Sequence, residues 1–328
     1  MTTFDLLGIG NAIVDVLARC DDAFITAHGL NRGAMTLIDA ARAEALYAAM
    51  PPAVEVSGGS AANTLAAFAS LGGRGAFIGK VADDQLGAVF RHDIRAAGVA
   101  FDTPAAQGGA PTARCLILVT PDAQRTMNTF LGACTALSEA DIDEATVAAA
   151  AITYLEGYLF DPPAAQAAFR KAARVAHAAG RQVALTLSDP FCVARHRAAF
   201  RALVAEEIDI LFANEHEILS LYEVSTFAEA VAAVRAETRI ACLTRSEKGS
   251  VIVADGAVHT IAAEPTPVVD TTGAGDAYAA GFLAGLVRSR PLPECGVMAS
   301  VAAAEAISHF GARPVAPLAQ LVKDRLAA

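Results

Sequence analysis

The chain has no tryptophan, and only 6% of its 328 residues are aromatic against 54% that are hydrophobic. A core drawn from that palette relies on alanine and aliphatic side chains, which favours close helix packing over bulky anchors. Dense stretches of Lys or Arg are missing as well, and the formal net charge is −10. Nucleic-acid binding rests on neutralising phosphates, so this balance argues against such a partner and for a small molecule. The six cysteines, Cys20, Cys115, Cys134, Cys192, Cys242 and Cys295, form no Cys-x-x-Cys pair and have no histidine beside them at ligand spacing. Reduced, mostly buried thiols are expected rather than a disulfide frame or a zinc site. No uncharged apolar run reaches the ~18 residues that span a bilayer. The N-terminus lacks a basic region, and the apolar run behind it breaks at Asn11 and Asp15. The expectation is a cytoplasmic protein without membrane contact.

What is present is an alternation. Short apolar runs at Leu6 to Ile9, Gly75 to Val81, Ile152 to Leu155, Val183 to Leu187, Ile208 to Phe212 and Ile240 to Thr244 are separated by longer Ala/Leu/Val segments. Runs of the first kind suit buried parallel strands and those of the second suit covering helices, which predicts one three-layer α/β/α domain over residues 1–328. Ala34 to Ile38, Thr112 to Val119 and Arg125 to Leu131 have a different texture, that of strands joined by turns. Two β-rich excursions, about 11–40 and 109–133, are therefore expected to form a small sheet standing off the main one, suited to act as a lid. Its exposed edge is a natural contact for a homodimer. A hairpin is expected around Asp255-Gly256, followed by helices over Gly273 to Val287 and Pro293 to Ser308.

Residues Asp270 to Asp276 read Asp-Thr-Thr-Gly-Ala-Gly-Asp and lead into the apolar stretch Ala277 to Val287. Glycine permits the tight turn, and the first N–H groups of a helix, lacking intrahelical partners, can face an anion with the helix dipole behind them. Asp276 in that place repels phosphate unless it has another task, such as accepting the proton of an attacking hydroxyl. The plainer alternative is an acidic residue that suits a first helical turn.

Four further segments carry polar chemistry. Ser57-Gly-Gly-Ser-Ala-Ala-Asn63 precedes an Ala-rich helix. Gly58 and Gly59 can admit a ligand against bare backbone and Asn63 offers donor and acceptor, or the pair simply makes a turn. Gly10-Asn11 with Asp15 follows the first strand, the edge where α/β sheets bind ligands, and one carboxylate can serve two neighbouring hydroxyls. The alternative there is an Asx turn with a solvated Asp15. Asn214-Glu-His-Glu217 has the spacing of a helix cap, which it favours, and also offers acidic oxygens for hydrated Mg²⁺. Thr244-Arg-Ser-Glu-Lys-Gly249 joins a strand to the hairpin, where it is either an ordinary polar turn or a surface for a nucleotide. Arg125 carries a fork of donors suited to phosphate, although lone surface arginines are commonly just solvated. None of the seven histidines pairs with a Cys or Ser in a catalytic order.

In order along the chain these segments read Gly-Asn-x-x-x-Asp, Gly-Gly-x-x-x-Asn, Asn-x-x-Glu and Asp-Thr-x-Gly-Ala-Gly-Asp. That order resembles the ribokinase-like (PfkB) kinases over nearly the whole chain, with Gly58 to Gly87 and Asp270 to Leu283 the most diagnostic stretches. Gly10 to Asp15, Pro111 to Cys115, Arg125, Leu187 to Phe191 and Ile208 to Phe212 before Asn214 are most similar to the adenosine kinase branch.

The resemblance implies ATP-dependent transfer to the 5′-hydroxyl of a nucleoside, adenosine first, with a sugar kinase of the same fold as the alternative and a non-catalytic ligand-binding relative behind both. By the same match Asp276 is the base, and Gly273, Ala274 and Gly275 with Asp276 shape the anion hole. Asn11, Asp15, Gly58, Gly59 and Asn63 bind the acceptor's hydroxyls, with Tyr158, and Phe160 near it, against its base. Arg125 swings from the lid toward the phosphates. Asn214, Thr244, Gly249 and Gly275 meet the nucleotide, Asn214 and Glu217 organise Mg²⁺ through water, and Asp270 and Thr272 match positions that hold K⁺ in some members. One departure stands out: the family commonly has Thr-x-Gly-x-x-Gly where this chain has Ser246 in place of the first glycine, which bears on nucleotide placement.

Overall fold

The computed structural model describes residues 2–122 and 124–327. In chain order its strands are β1 (Phe4–Ile9), β2 (Ile13–Arg19), β3 (Met35–Leu37), β4 (Ala53–Gly58), β5 (Gly75–Ile78), β6 (Val99–Phe101), β7 (Ala113–Val119), β8 (Arg125–Phe130), β9 (Ala150–Glu156), β10 (Gln182–Thr186), β11 (Ile210–Asn214), β12 (Ile240–Thr244), β13 (Ser250–Ala254) and β14 (Ala257–Ile261). They make two sheets. The larger runs β14-β13-β12-β11-β10-β9-β1-β5-β6, and the smaller runs β3-β8-β7-β2-β4.

Strand alternation sets the layers of the larger sheet. Leu6, Ile152, Tyr154, Ala184, Ile210, Phe212 and Cys242 pack on one face, against the helices Ser60–Ser70, Ala274–Leu286 and Leu292–Ile307. Leu7, Ile9, Leu155, Val183, Leu185, Leu211 and Leu243 pack on the other, against Pro163–Ala178 and Pro190–Glu207. With both faces covered, each strand can be apolar throughout, and that is the three-layer arrangement that uninterrupted apolar runs imply. From β12 to β6 the strands pair in parallel. The β13–β14 hairpin adds antiparallel strands at one edge. Parallel strands joined by covering helices leave their carboxyl ends along one rim, where Asn11, Glu156, Asn214 and Thr244 emerge.

The smaller sheet departs from expectation in extent. Its first excursion continues to β4, beyond 11–40, and carries the helices Asp22–Ala27 and Ala40–Ala49. β4 is hard to read because Val54 faces solvent at 64% exposure and Glu55 interrupts the run, so neither burial nor polarity alternates cleanly. Asp15 lies on β2, not on the turn after β1. Cross-strand register then decides which residues share a face. Asp15 sits opposite Cys115 on β7, which sits opposite Thr129, while Arg125 opposes Val119, which in turn opposes Arg19, on that same face. Val14, Val16, Leu116 and Leu118 point the other way into the core. All six cysteines are free thiols, and all but Cys20 are buried. Among the described residues no helix is long and apolar enough to cross a membrane.

Candidate active site

The helix Ala274–Leu286 starts directly after the turn 270–273, and its first helical turn carries Asp276. Ala274 N–H makes only a long bond of 3.4 Å to the Thr271 carbonyl. The N–H groups of Gly275 and Asp276 have no hydrogen-bond partner among the described residues. Three donors at the positive end of a 13-residue helix are thus available to an anion. Asp276 is held from the opposite side by the helix Ser60–Ser70. Ser60 Oγ donates to Oδ1 at 2.6 Å, and Asn63 Nδ2 lies 3.5 Å from Oδ2. Although its side chain keeps some contact with solvent, the protein crowded around it disfavours charge and lifts its pKa to about 6, against the pull of Ser60 and Asn63. A carboxylate tuned to that range is ionised at neutral pH yet basic enough to accept a proton.

Asn11, Gly58, Gly59 and Asn63 converge on the same cleft. Gly59 caps the helix Ser60–Ser70 with φ +96°, and a Cβ there would lie 2.2 Å from the Asn11 carbonyl oxygen, so only glycine fits. At Gly58 a Cβ would come 2.3 Å from Asp15 Oδ2, which shows how closely that carboxylate lies against the backbone. Burial pushes Asp15 up to about 6, with Arg125 and Arg313 opposing the rise and Asp276 adding to it. Two carboxylates of one cleft therefore influence each other.

Glu156, which sequence reasoning passed over, is the third. It is 1% exposed at the end of β9 and accepts from Asn11 Nδ2 and from the Ala61 N–H, both at 2.8 Å. Burial raises it to about 7 despite those bonds. The available signal was its position, a carboxylate at the carboxyl end of an apolar run. Ser60 could have been found between Gly59 and Ala61, whereas nothing local pointed to Arg313.

Tyr158 follows β9 in the turn Gly157–Phe160 and is 42% exposed. Phe160 is not beside it: it is buried in the core, its ring stacked on Phe200 with centroids 4.3 Å apart. A different aromatic, Phe191, is exposed just beyond β10, the neighbour of β9.

Arg125 reaches from β8 to the turn before Asp276. Its Nη1 donates to both oxygens of Asp270 at 2.9 and 2.8 Å and to Thr272 Oγ1. Asp270 also accepts from the N–H groups of Thr272 and Gly311, both at 3.0 Å. The pair is mostly buried, at 10% and 4% side-chain exposure. The two side chains matched to a K⁺ site are thus held by a guanidinium, and the arginine matched to the phosphates is held by them.

On the nucleotide side, Asn214 and Glu217 close the capping box that their spacing favours. Asn214 N–H and Nδ2 donate to Glu217 at 2.9 and 2.6 Å, and Glu217 N–H donates to Asn214 Oδ1 at 2.9 Å. Glu217 is 4% exposed, and burial raises it to about 7. Among the described residues no three His, Cys, Asp or Glu side chains cluster as a direct metal cage. The oxygens of Asn214 and Glu217, already engaged with each other, suit a metal's water better than the metal itself. Thr244 ends β12 opposite Ser250, and Gly249 adopts φ +78°. Ser246 itself has φ +50°, the left-handed region that favours glycine.

An α/β sheet with an anion-ready helix terminus, a tuned carboxylate and a polar cleft at its strand ends is the framework of a phosphotransferase acting on hydroxyl groups. Residues 35–319 match the family described as pfkB family carbohydrate kinase, and the chain belongs to it. Among solved structures it is similar to an adenosine kinase from Sinorhizobium meliloti, 52% identical with 99% of each chain covered and a TM-score of 0.90. It is also similar to a probable sugar kinase protein from Rhizobium etli, 48% identical over 100% of both chains with a TM-score of 0.92. An ATP-dependent ribose-1-phosphate kinase from Halopiger xanaduensis is 34% identical over 240 residues, 69% of this chain and 72% of that protein. The chain is a PfkB-type kinase of a nucleoside or a sugar, and membership of this family implies ATP, generally with Mg²⁺.

Proposed function

We propose that the protein transfers the γ-phosphoryl group of ATP to the 5′-hydroxyl of a nucleoside, adenosine in the first place. The observation that carries this reading is Asp276, fixed by Ser60 and Asn63 beside unpartnered helix N–H groups and facing the same cleft as Asp15. In this reading Asp276 takes the proton of the attacking hydroxyl, and the N–H groups of Ala274, Gly275 and Asp276 receive charge on the transferred phosphoryl group. Asp15, with Asn11 and Asn63, receives the ribose hydroxyls. Glu156 holds the Asn11 amide and the start of the helix Ser60–Ser70 in place. Arg125 leaves Asp270 and Thr272 for the phosphates when the smaller sheet closes as a lid, which also excludes water from the transfer. Only then are Asp270 and Thr272 open to a monovalent cation. Mg²⁺, bound with ATP, would neutralise phosphate charge, and Asn214 and Glu217 would hold its waters.

Two observations support a nucleoside over a free sugar: exposed aromatics Tyr158 and Phe191 at adjacent strand ends, suited to a base, and 52% identity with the Sinorhizobium meliloti adenosine kinase. The 48% identity with a probable sugar kinase protein keeps the sugar reading as the alternative. ADP release across nucleosides, ribose, fructose and other sugars separates the two. A free sugar turned over far more efficiently than any nucleoside defeats the proposal, and absence of turnover on the whole panel defeats both.

A further inference from the structure

Arg313 takes no part in the chemistry above, yet it is embedded beside it. It lies in the turn after the helix Leu292–Ile307, where its Nη1 donates to Asp93 at 2.9 Å, its Nη2 donates to Ser57 Oγ, and its Nε is buried without a partner. Asp93 accepts in addition from the Ser57 N–H at 2.7 Å and Oγ at 2.6 Å. Ser57 immediately precedes Gly58 and Gly59, the turn that joins β4 to the helix Ser60–Ser70. Against that turn lies Asp15, to which no hydrogen-bond donor among the described residues is directed. Arg313 is therefore a fixed positive charge locked to the backbone segment on which a bare carboxylate rests.

We propose that Arg313 is a positioning residue for the acceptor: its charge keeps Asp15 ionised for the acceptor's hydroxyls, and its fork fixes the Ser57–Gly59 turn behind them. The proposal rests on the reading that Asp15 receives those hydroxyls. An ionised carboxylate accepts from two neighbouring hydroxyls, whereas a protonated one must spend an oxygen as donor. Burial alone drives Asp15 toward the neutral form. Four groups face it: Arg125 from β8 and Arg313 from the turn favour its charge, Asp276 from the helix Ala274–Leu286 opposes it, and Cys115 from β7 stays a neutral thiol, its pKa pushed up to about 12. From β4 it meets only Val56 and Gly58. Arg125 shares the smaller sheet with Asp15, and its side chain is the cation that the phosphates recruit, whereas Arg313 is tied through Ser57 to β4, the strand paired with β2, and so is the charge that remains at Asp15.

The test is adenosine binding without ATP, measured by calorimetry from pH 5.5 to 8.5, for wild type, Arg313→Met and Arg313→Lys. Losing the charge is expected to move the acid-side weakening up by about one pH unit, which makes Arg313→Met bind about fivefold more weakly at pH 6 and nearly as wild type above pH 8. Arg313→Lys, which keeps the charge and loses the fork, should retain the wild-type pH dependence. A uniform loss at every pH in Arg313→Met, or a lysine variant that behaves like the methionine one, overturns the proposal and leaves only a structural tie. If Arg313→Met fails to fold, Arg313→Gln, which removes the charge but keeps a donor for Asp93 and Ser57, reads the same quantity. Asp15→Asn should abolish the sensitivity to Arg313→Met. If it leaves binding unchanged, the assignment of Asp15 fails, and with it this inference. If adenosine is not bound, the acceptor turned over in the panel takes its place, so an error in the acceptor's identity is distinguishable from an error about Arg313.

Discussion

Replacing Asp276 by asparagine tests the base and its electrostatics in one experiment. Burial holds the Asp276 pKa at about 6, against an ordinary value of 3.8. At about 1.4 kcal/mol per unit, the ionised carboxylate costs the folded state at most ~3 kcal/mol, and residual solvent contact reduces this to about 1–2 kcal/mol. The sign follows from the raised folded-state value. Wild type suffers no penalty while Asp276 is protonated, below about pH 4, and loses stability as pH climbs through about 6. Asparagine keeps an acceptor for Ser60 and carries no charge. Asp276→Asn should therefore approach wild type in urea unfolding below about pH 4 and exceed it by about 1–2 kcal/mol at pH 8, while turnover falls at least ~100-fold. ATP affinity should stay within a few fold, because the N–H groups of the helix terminus are untouched. Wild-type kcat/KM should rise with pH through about 6, reporting Asp276 and Asp15 as a coupled pair. Near-wild-type turnover in the variant, or a stability difference that does not change with pH, would refute the reasoning.

Gly59→Ala places a side chain at φ +96° and against the Asn11 carbonyl, so a loss of at least ~2 kcal/mol is expected in denaturant unfolding; a loss under 0.5 kcal/mol, on the order of an ordinary surface change, counts against the tight turn. Ser246→Gly relieves a left-handed non-glycine residue, so it should gain up to ~1 kcal/mol and alter the KM for ATP but not for the acceptor. An unchanged ATP KM would remove Ser246 from the nucleotide site. Arg125→Ala breaks a buried ion pair and should cost about 3 kcal/mol. KCl, but not choline chloride, is expected to restore part of that loss in thermal unfolding, and equal responses would argue against a cation site at Asp270 and Thr272.

The two sheets were not equally legible. Strands buried on both faces announce themselves as uninterrupted apolar runs, so β1, β9, β10, β11 and β12 could be located from hydrophobicity alone. β2 and β4 could not. Ile-Val-Asp-Val-Leu-Ala-Arg in β2 hides a regular alternation behind the apolar residues Ile13 and Leu17 on its more open face, and β4 exposes Val54 outright. Strands of a sheet with one open face near a ligand cleft carry mixed residues on that face, which blurs the period that would reveal them.

The same distinction explains the site. Residues held by local geometry could be read from short stretches: the turn 270–276, the glycines before Ser60, and the capping box of Asn214 and Glu217. Glu156, Arg313 and the Arg125–Asp270 pair act across 95 to 256 residues of chain, through Ala61, Ser57 and the smaller sheet. No spacing rule spans such separations. What joins them is strand register. Because side chains alternate along β2, β7 and β8, Asp15 and Arg125 share one face, and the contact of Arg125 with Asp270 ties that face to the turn before Asp276. A slip of one residue between β2 and β7 would turn Asp15 into the core and bring Val14 or Val16 into the cleft. The apolar side chains Val14, Val16, Leu116 and Leu118, which touch no part of the proposed chemistry, are thus what turns the Asp15 carboxylate toward the cleft it shares with Asp276.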